Sequence, residues 1–390
     1  MDLKKPLTFD EQLDKLAAHG MIITDSDKAK DILNWVYYYR FTGYALQFRQ
    51  APSGSDYILG TTFETVYHLY KVDEILRDTF RRYIEKAEVY YRTQIAYGFS
   101  IAKCTETPYD QHYDENNFYN KKGYREVMEN FRREKNYYKD SLIVKHHKMK
   151  YSSKMPLWVI VELMSFSNMS KLYSSMYYSE KDAIAHMVGV GRDTLENHLH
   201  CLSVLRNKCA HAARMYNTDF NPPAKFTTSF LRKHPEIKNN SLFAYTLVLL
   251  KRLPDESSKK SLIQTVENVI SEYSDDIDLK LIGFPENYME IMKNNLWQIN
   301  NFIFDIKYNE KEGCVKNEIF FMRPFAYGYN NVFIKQNFDN HDGEVPVWAA
   351  VEVLSFGTLS KIIKNLKTST GSSYSILVAN YQYKSKKEIW

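Results

Sequence analysis

The chain has 390 residues, 44% hydrophobic and 25% charged, a globular composition with enough length for two or three domains' worth of core. Lysine and arginine exceed aspartate and glutamate by 52 to 47, and the pI near 8.6 permits an anionic partner without demanding one. No run approaches the ~18 apolar residues of a membrane span, and the opening MDLKKPLTFDEQL lacks an apolar signal core, so the expectation is a cytoplasmic protein with no membrane partner.

Few glycines and prolines and long charged-apolar stretches predict a mainly α protein. Thr8 to Ala18 reads as a capped helix, with Thr8 as N-cap and Glu11 three residues on. Asp25 to Tyr44 carries Ile32, Leu33, Val36, Tyr37 and Phe41 at helical spacing, and the rings of its Tyr37-Tyr38-Tyr39-Arg40-Phe41 cluster read as packing rather than as base-stacking platforms. A loop follows at Ala51 to Thr61, then one or two helices from Phe63 to Phe99. There Glu88 and Arg92 stand at i and i+4, either a solvated pair or a brace for a neighbouring helix.

The most basic stretch, Lys121 to Lys154, holds eleven Lys or Arg against four acids. Arg132, Arg133, Lys135, Lys145, Lys148 and Lys150, interleaved with Tyr124, Phe131, Tyr137, Tyr138 and Tyr151, suit a surface that tracks phosphates and stacks bases. A solvated helix face packed by its aromatics fits the same pattern. The next helix, MPLWVIVELMSFSNMSKLY, starts at Pro156 and sets Glu162 among Trp158, Val161, Phe166 and Met169. A carboxylate there needs a partner if buried, and Arg206 or Arg214 is available.

Thr194 to Tyr216, TLENHLHCLSVLRNKCAHAARMY, reads as a two-sided helix. At ~100° per residue, Leu195, Leu199, Leu202, Leu205, Cys209, Ala212 and Ala213 share one arc. His200, Ser203, Asn207, His211 and Arg214 share the other, with Arg206 at the border. Arginine grips phosphate with a planar fork and histidine moves protons near neutrality, so Arg206 and His211, with Asn207 one turn earlier to orient the ring, suit RNA cleavage without metal or other cofactor. A lone pair at this spacing fits a structural role as well. His198 falls on the apolar arc as a core histidine. The spacing of His198, His200, Cys209 and His211 matches no zinc site. None of the four cysteines, Cys104, Cys201, Cys209 and Cys314, forms a C-x-x-C pair, which fits reduced thiols.

Beyond Asn221-Pro222-Pro223, helical patterns run over Leu242 to Leu253 and Leu262 to Tyr273, and Leu281 to Pro285 closes the unit in a turn. Val345 to Ile363, VPVWAAVEVLSFGTLSKII, then repeats Met155 to Tyr173 at eight of nineteen positions. At the offset from Pro156 to Pro346, the counterpart of Arg206 would fall past Trp390. The expected layout is residues 1–292 as a domain with the motif and 293–390 as a truncated repeat, a scaffold helix without it.

Several segments in this order resemble the Abi-like (AbiD/AbiF type) abortive-infection proteins of bacteria, a group of the HEPN superfamily. They are KKPLTFDEQLDKLAAHG, YYYRFTGY, HLYKVDEILR, PLWVIVELMSFSNMSKLY, LRNKCAHAARMYN and DLKLIGFPENY. The resemblance implies an all-α, HEPN-type helical bundle with additional helices, and the partial repeat at 293–390 departs from the family's single-unit pattern. It implies phage defence by a metal-independent endoribonuclease with Arg206, Asn207 and His211 in the RNxxxH positions. It further implies RNA as substrate, a noncoding RNA as a partner in some members, and a homodimer that pairs two motifs. Glu88, Arg92 and Glu162 are candidates to support the motif from their positions alone, and plain exposure fits them as well.

Overall fold

The computed structural model describes residues 3–297 and, beyond them, strands at 330–336, 348–352 and 374–380. The chain divides into two units, Met1–Leu296 and Trp297–Trp390.

The first unit is all-α. It opens with α1 (Phe9–Ala18), whose Thr8 accepts from the Glu11 amide while Glu11 accepts from the Thr8 amide, the expected capping box. The stretch read as one helix from Asp25 to Tyr44 is two, α2 (Ser26–Val36) and α3 (Tyr38–Ala45). They break at Tyr37, whose φ of 39° lies in the left-handed region and interrupts the ladder. The break also divides the aromatic cluster: Phe41 and Tyr44 enter the core, while Tyr37 and Tyr39 are 54% and 83% exposed, against the expectation that these rings pack.

The frame of the unit is α4 (Phe63–Lys103), 41 residues long, about 60 Å at 1.5 Å per residue. Thr62 caps it, and Leu69, Val72, Leu76, Phe80, Ile84, Ala87, Tyr91 and Ile95 bury one continuous stripe at helical spacing. Gly98 lies where a Cβ would come 2.5 Å from Ile184, so a helix further along the chain can approach α4 closely only at a glycine. Then come α5 (Lys121–Tyr137), α6 (Leu142–Lys150), α7 (Leu157–Leu163), α8 (Phe166–Ser175), α9 (Tyr178–Met187) and α10 (Arg192–Ala210). After α11 (Thr228–Lys233) follow α12 (Leu242–Arg252), buried over most of its surface, α13 (Glu256–Glu272) and α14 (Tyr288–Trp297). α4 packs against α3, α7, α8, α9, α10, α12 and α13, and α8 lies between α10 and α5. No helix among the described residues is long and apolar enough to cross a membrane.

One helix expected from Met155 to Tyr173 is also two. α7 ends at Leu163, Met164 is extended, and the Ser165 side chain caps α8 by accepting from the Asn168 amide. The break has a partner: Arg92 of α4 donates to the carbonyls of Val161 and Met164, satisfying acceptors that a helix end leaves open.

In the second unit β1 (Asn330–Gln336) pairs antiparallel with β2 (Trp348–Glu352) on one side and β3 (Tyr374–Asn380) on the other, with Phe333 opposite Ala350 and Leu377. Trp348–Glu352 belongs to the segment expected to copy the α7–α8 scaffold helix, and it is a strand. A short apolar run with β-branched residues reads equally as helix or strand, and the ladder available beside it decides. The rest of that repeat, 345–347 and 353–363, and Cys314 lie outside the described residues.

Candidate active site

The motif helix stops earlier than its periodicity suggests. α10 ends at Ala210, His211 is its C-cap, and Ala212 turns into the left-handed region at φ 50°. The Ala213 amide donates to Lys208 O at 2.8 Å and the Ala212 amide to Cys209 O at 3.3 Å, the paired bonds of a Schellman turn. Glycine usually holds the left-handed place; here alanine does, and tertiary contacts secure it. Arg81 donates to Cys209 O at 2.8 Å, and Arg40 donates to Ala212 O. Cations at a helix C-terminus also complement its dipole. Ala212, Ala213 and Arg214, assigned to the helix by periodicity, therefore belong to the turn and the irregular segment after it.

One face of α4 runs antiparallel to α10 and meets it rung by rung. Asp73 accepts from the amides of Met215 and Tyr216 at 2.9 and 3.1 Å, from Tyr44 Oη at 2.7 Å and from Arg77 Nη1 at 2.8 Å. Arg81 reaches Cys209, as above. Glu88 stands 3.8 Å from Arg206 Nε and is also bound by Arg92. Burial pushes the Asp73 carboxyl up and works against the Arg77 charge, yet Asp73 raises that guanidinium above its ordinary value. Four donors on one carboxylate favour the ionised pair, and both groups are taken as charged.

The three motif residues have different freedoms. Arg206 is 43% exposed and its only charged neighbour among the described residues is Glu88; its terminal nitrogens are unspent. Asn207 is exposed and donates to Ser167 Oγ at 3.2 Å, so its amide is tied to α8 rather than to the histidine one turn on. The His211 ring is exposed and has no hydrogen-bond partner among the described residues, its backbone amide alone being bonded, to Asn207 O at 3.0 Å. Ser203, placed on the polar arc by spacing, is buried and donates to His200 O.

The supporting residues separate. Arg92 joins Glu88 to the end of α7, so these two link α4 to α7 and, through Arg206, to α10. Glu162 is exposed and pairs with no cation among the described residues; with α7 only seven residues long, the face that was to bury it does not form. His198 is a core residue: its Nε2 lies 2.7 Å from Lys225 O, its Nδ1 has no partner, and burial pushes its pKa down to about 3. Burial raises the thiols of Cys201 and Cys209 to about 11 and about 12, which keeps them protonated. His198 and Cys209 are buried while His200 and His211 are exposed, and no three His, Cys, Asp or Glu among the described residues gather as metal ligands would.

The basic stretch forms α5 and α6. Tyr124 and Phe131 are core residues, contrary to a role as stacking rings, whereas Tyr137, Tyr138 and Tyr151 are exposed. Arg132 and Arg133 share Glu129, Lys145 pairs with Asp140, and Lys150 lies over Tyr151. Lys135 donates to Ser153 O at 2.7 Å, and burial lowers its pKa. Lys148 is exposed without a partner among the described residues. Arg214 sits apart from this stretch, donating to Gly43 O.

Sequence reasoning passed over Asp73, Arg77, Arg81 and Arg40. The signal was present for the first two: a carboxylate four residues before an arginine, both on the stripe of Leu69, Leu76 and Phe80, requires a buried pair. Arg40 and Arg81 carried none, because their acceptors are backbone carbonyls far along the chain.

A family model described as Abi-like protein matches residues 31–217 and 251–387. No curated protein and no solved structure gives a match.

Proposed function

This chain belongs to the Abi-like protein family, and we propose that it acts in abortive infection, as a phage-defence ribonuclease of HEPN type that cuts RNA at Arg206 and His211 without a metal. The observation that carries this reading is the exposed, unpartnered ring of His211 at the cap of α10, on the same helix end as a half-exposed Arg206 whose terminal nitrogens are unspent. In the reaction, one histidine takes the proton of a ribose 2′-hydroxyl. The 2′ oxygen then forms its bond to phosphorus as the bond to the 5′ oxygen breaks, and that oxygen receives a proton from a second acid. The products are a 2′,3′-cyclic phosphate and a 5′-hydroxyl end, and Arg206 stabilises the charge gathered on the phosphate oxygens.

With one motif per chain, the second acid comes from a second copy. We therefore read the active form as a homodimer in which two turns carrying His211 face one strand of RNA, with noncoding RNA a partner of the same anionic chemistry. Glu88 holds Arg206 at its Nε and leaves the fork for phosphate; Arg92 fixes Glu88.

Incubation of RNA with the purified chain in excess chelator tests the reading. Cleavage persists, and His211→Ala lowers its rate about 10²- to 10⁴-fold with an unchanged unfolding midpoint. Adding His211→Ala chains to wild type depresses the rate more than dilution does. Wild-type chain that binds RNA and never cuts it, with or without divalent ions, overturns the ribonuclease and leaves an RNA-binding scaffold.

A further inference from the structure

A cleft of about 420 Å³ opens beside the turn that follows His211, lined in part by Tyr37, Tyr39, Arg40, Gly43, Arg49 and Arg214. Its size is that of a small-ligand site. The wall carries three guanidinium groups and no carboxylate. Arg40 and Arg214 each spend one N–H on a backbone carbonyl, of Ala212 and Gly43. Arg49 makes no side-chain hydrogen bond or ion pair among the described residues, and its Nε is shut off from solvent without an acceptor. A donor left unbonded in the interior is costly, and the rest of the Arg49 guanidinium, which lines the cleft, is unspent for an anion entering it. Arg132 and Arg133 share Glu129, whereas none of these three arginines has an acid at ion-pair distance among the described residues.

The same wall presents aromatic faces. Tyr39 is 83% exposed, and its ring touches no other aromatic among the described residues. Tyr37 is 54% exposed and holds the left-handed backbone at the α2–α3 break, with the Arg40 guanidinium 5.4 Å from its ring centre. Backbone strain of this kind persists where surrounding structure holds it and gathers at ligand sites. Free arginine forks suit phosphate, and exposed rings suit any base, since every base has a π face. Arg40 connects the cleft to the motif directly, because its acceptor is the carbonyl of the residue after His211.

We infer that this cleft binds one nucleotide of a single-stranded RNA, its base on Tyr39 and its phosphate on Arg49 and Arg214, next to the bond presented to His211. The inference rests on the ribonuclease reading and adds the substrate class, a single strand gripped without regard to base identity. Base identity is not read because the wall offers faces and cations rather than a matched set of donors and acceptors.

Fluorescence anisotropy with a labelled 2′-O-methyl RNA oligonucleotide, which the wild-type chain can bind but not cut through a 2′-hydroxyl, measures the subsite apart from catalysis. Tyr39→Ala weakens binding about 5- to 150-fold and Tyr39→Phe restores it. Arg49→Gln also weakens binding, and it lowers the slope of log K against log salt by about 0.7, the contribution of one phosphate on a single strand; Tyr39→Ala leaves that slope unchanged. Tyr39 is exposed and its side chain makes no hydrogen bond among the described residues, so its replacement leaves the fold intact. Equal affinities across these variants, no saturable binding by the wild type, or tighter binding of adenosine monophosphate than of the oligonucleotide overturns the inference. The two readings fail separately: wild type that binds in this pattern but cuts no RNA refutes the ribonuclease and keeps the subsite, whereas cleavage by a chain whose variants bind alike does the reverse.

Discussion

His198 and His211 belong to one helix and its cap, and their surroundings could hardly differ more. His198 is packed beneath Phe226, one nitrogen on a carbonyl and the other on nothing, and burial holds it neutral. The ring of His211 stands in solvent past the last turn. The two ion pairs along the facing side of α4 repeat the contrast. Asp73 and Arg77 are 1% and 4% exposed and locked with Tyr44 and two amides, while Glu88 touches a half-exposed Arg206 across 3.8 Å. What separates structure from chemistry here is therefore slack. A group whose bonding capacity is filled inside the core holds the chain, and one left partly unspent at the surface can meet a reactant.

The contrast is open to test, beginning with its strongest member. Asp73→Ala leaves the buried Arg77 charge and two amides without their acceptor, and costs about 3–5 kcal/mol in urea unfolding. A loss below about 1 kcal/mol would put Asp73 in the same class as surface pairs and dissolve the distinction.

His198 sharpens the comparison through pH. Its folded pKa, about 3, lies below the unfolded value of about 6.5, so the unfolded chain binds the extra proton between them. Its stabilisation is present above the unfolded value and lost as pH falls, at about 1.4 kcal/mol per pH unit. Between pH 7.5 and 5, His198→Gln should reduce the drop in unfolding free energy by about 2 kcal/mol. Parallel pH profiles for wild type and His198→Gln would show that His198 is not buried neutral.

The smallest effect concerns the turn that frees His211. Ala212 pays for a left-handed backbone at φ 50°, so Ala212→Gly should raise stability by about 1 kcal/mol, read as a higher urea midpoint. A lower midpoint would mean that the flexibility gained in the unfolded chain outweighs the relieved strain.

Helix existence and burial were legible in the chain itself: the capping box at Thr8, the long stripe of α4, the apolar arc of α10 and the core place of His198 follow from spacing and side-chain type. Interruptions were not. Tyr37, Met164 and Ala212 break three stretches whose periodicity runs on, and none is marked by glycine or proline. The breaks at Met164 and Ala212 are held by groups remote in sequence: Arg92 takes the carbonyls at the end of α7, and Arg40 and Arg81 those at the end of α10. Glu162 shows the same limit: the apolar face drawn from one continuous helix does not form, and the carboxylate is exposed. Trp348–Glu352 matches a helical segment at several positions and still forms β2.

The sequence by itself determined that the first unit is all-α, which faces are apolar, and that Arg206, Asn207 and His211 share one helix end, because these depend on local periodicity and residue chemistry. Tertiary structure alone decided where α10 stops, that Glu88 rather than Glu162 approaches Arg206, and that Arg40, Arg49 and Arg214 meet around one cleft with two exposed tyrosines. Those outcomes depend on buried donors and acceptors finding partners across long stretches of chain, a balance that local periodicity does not record.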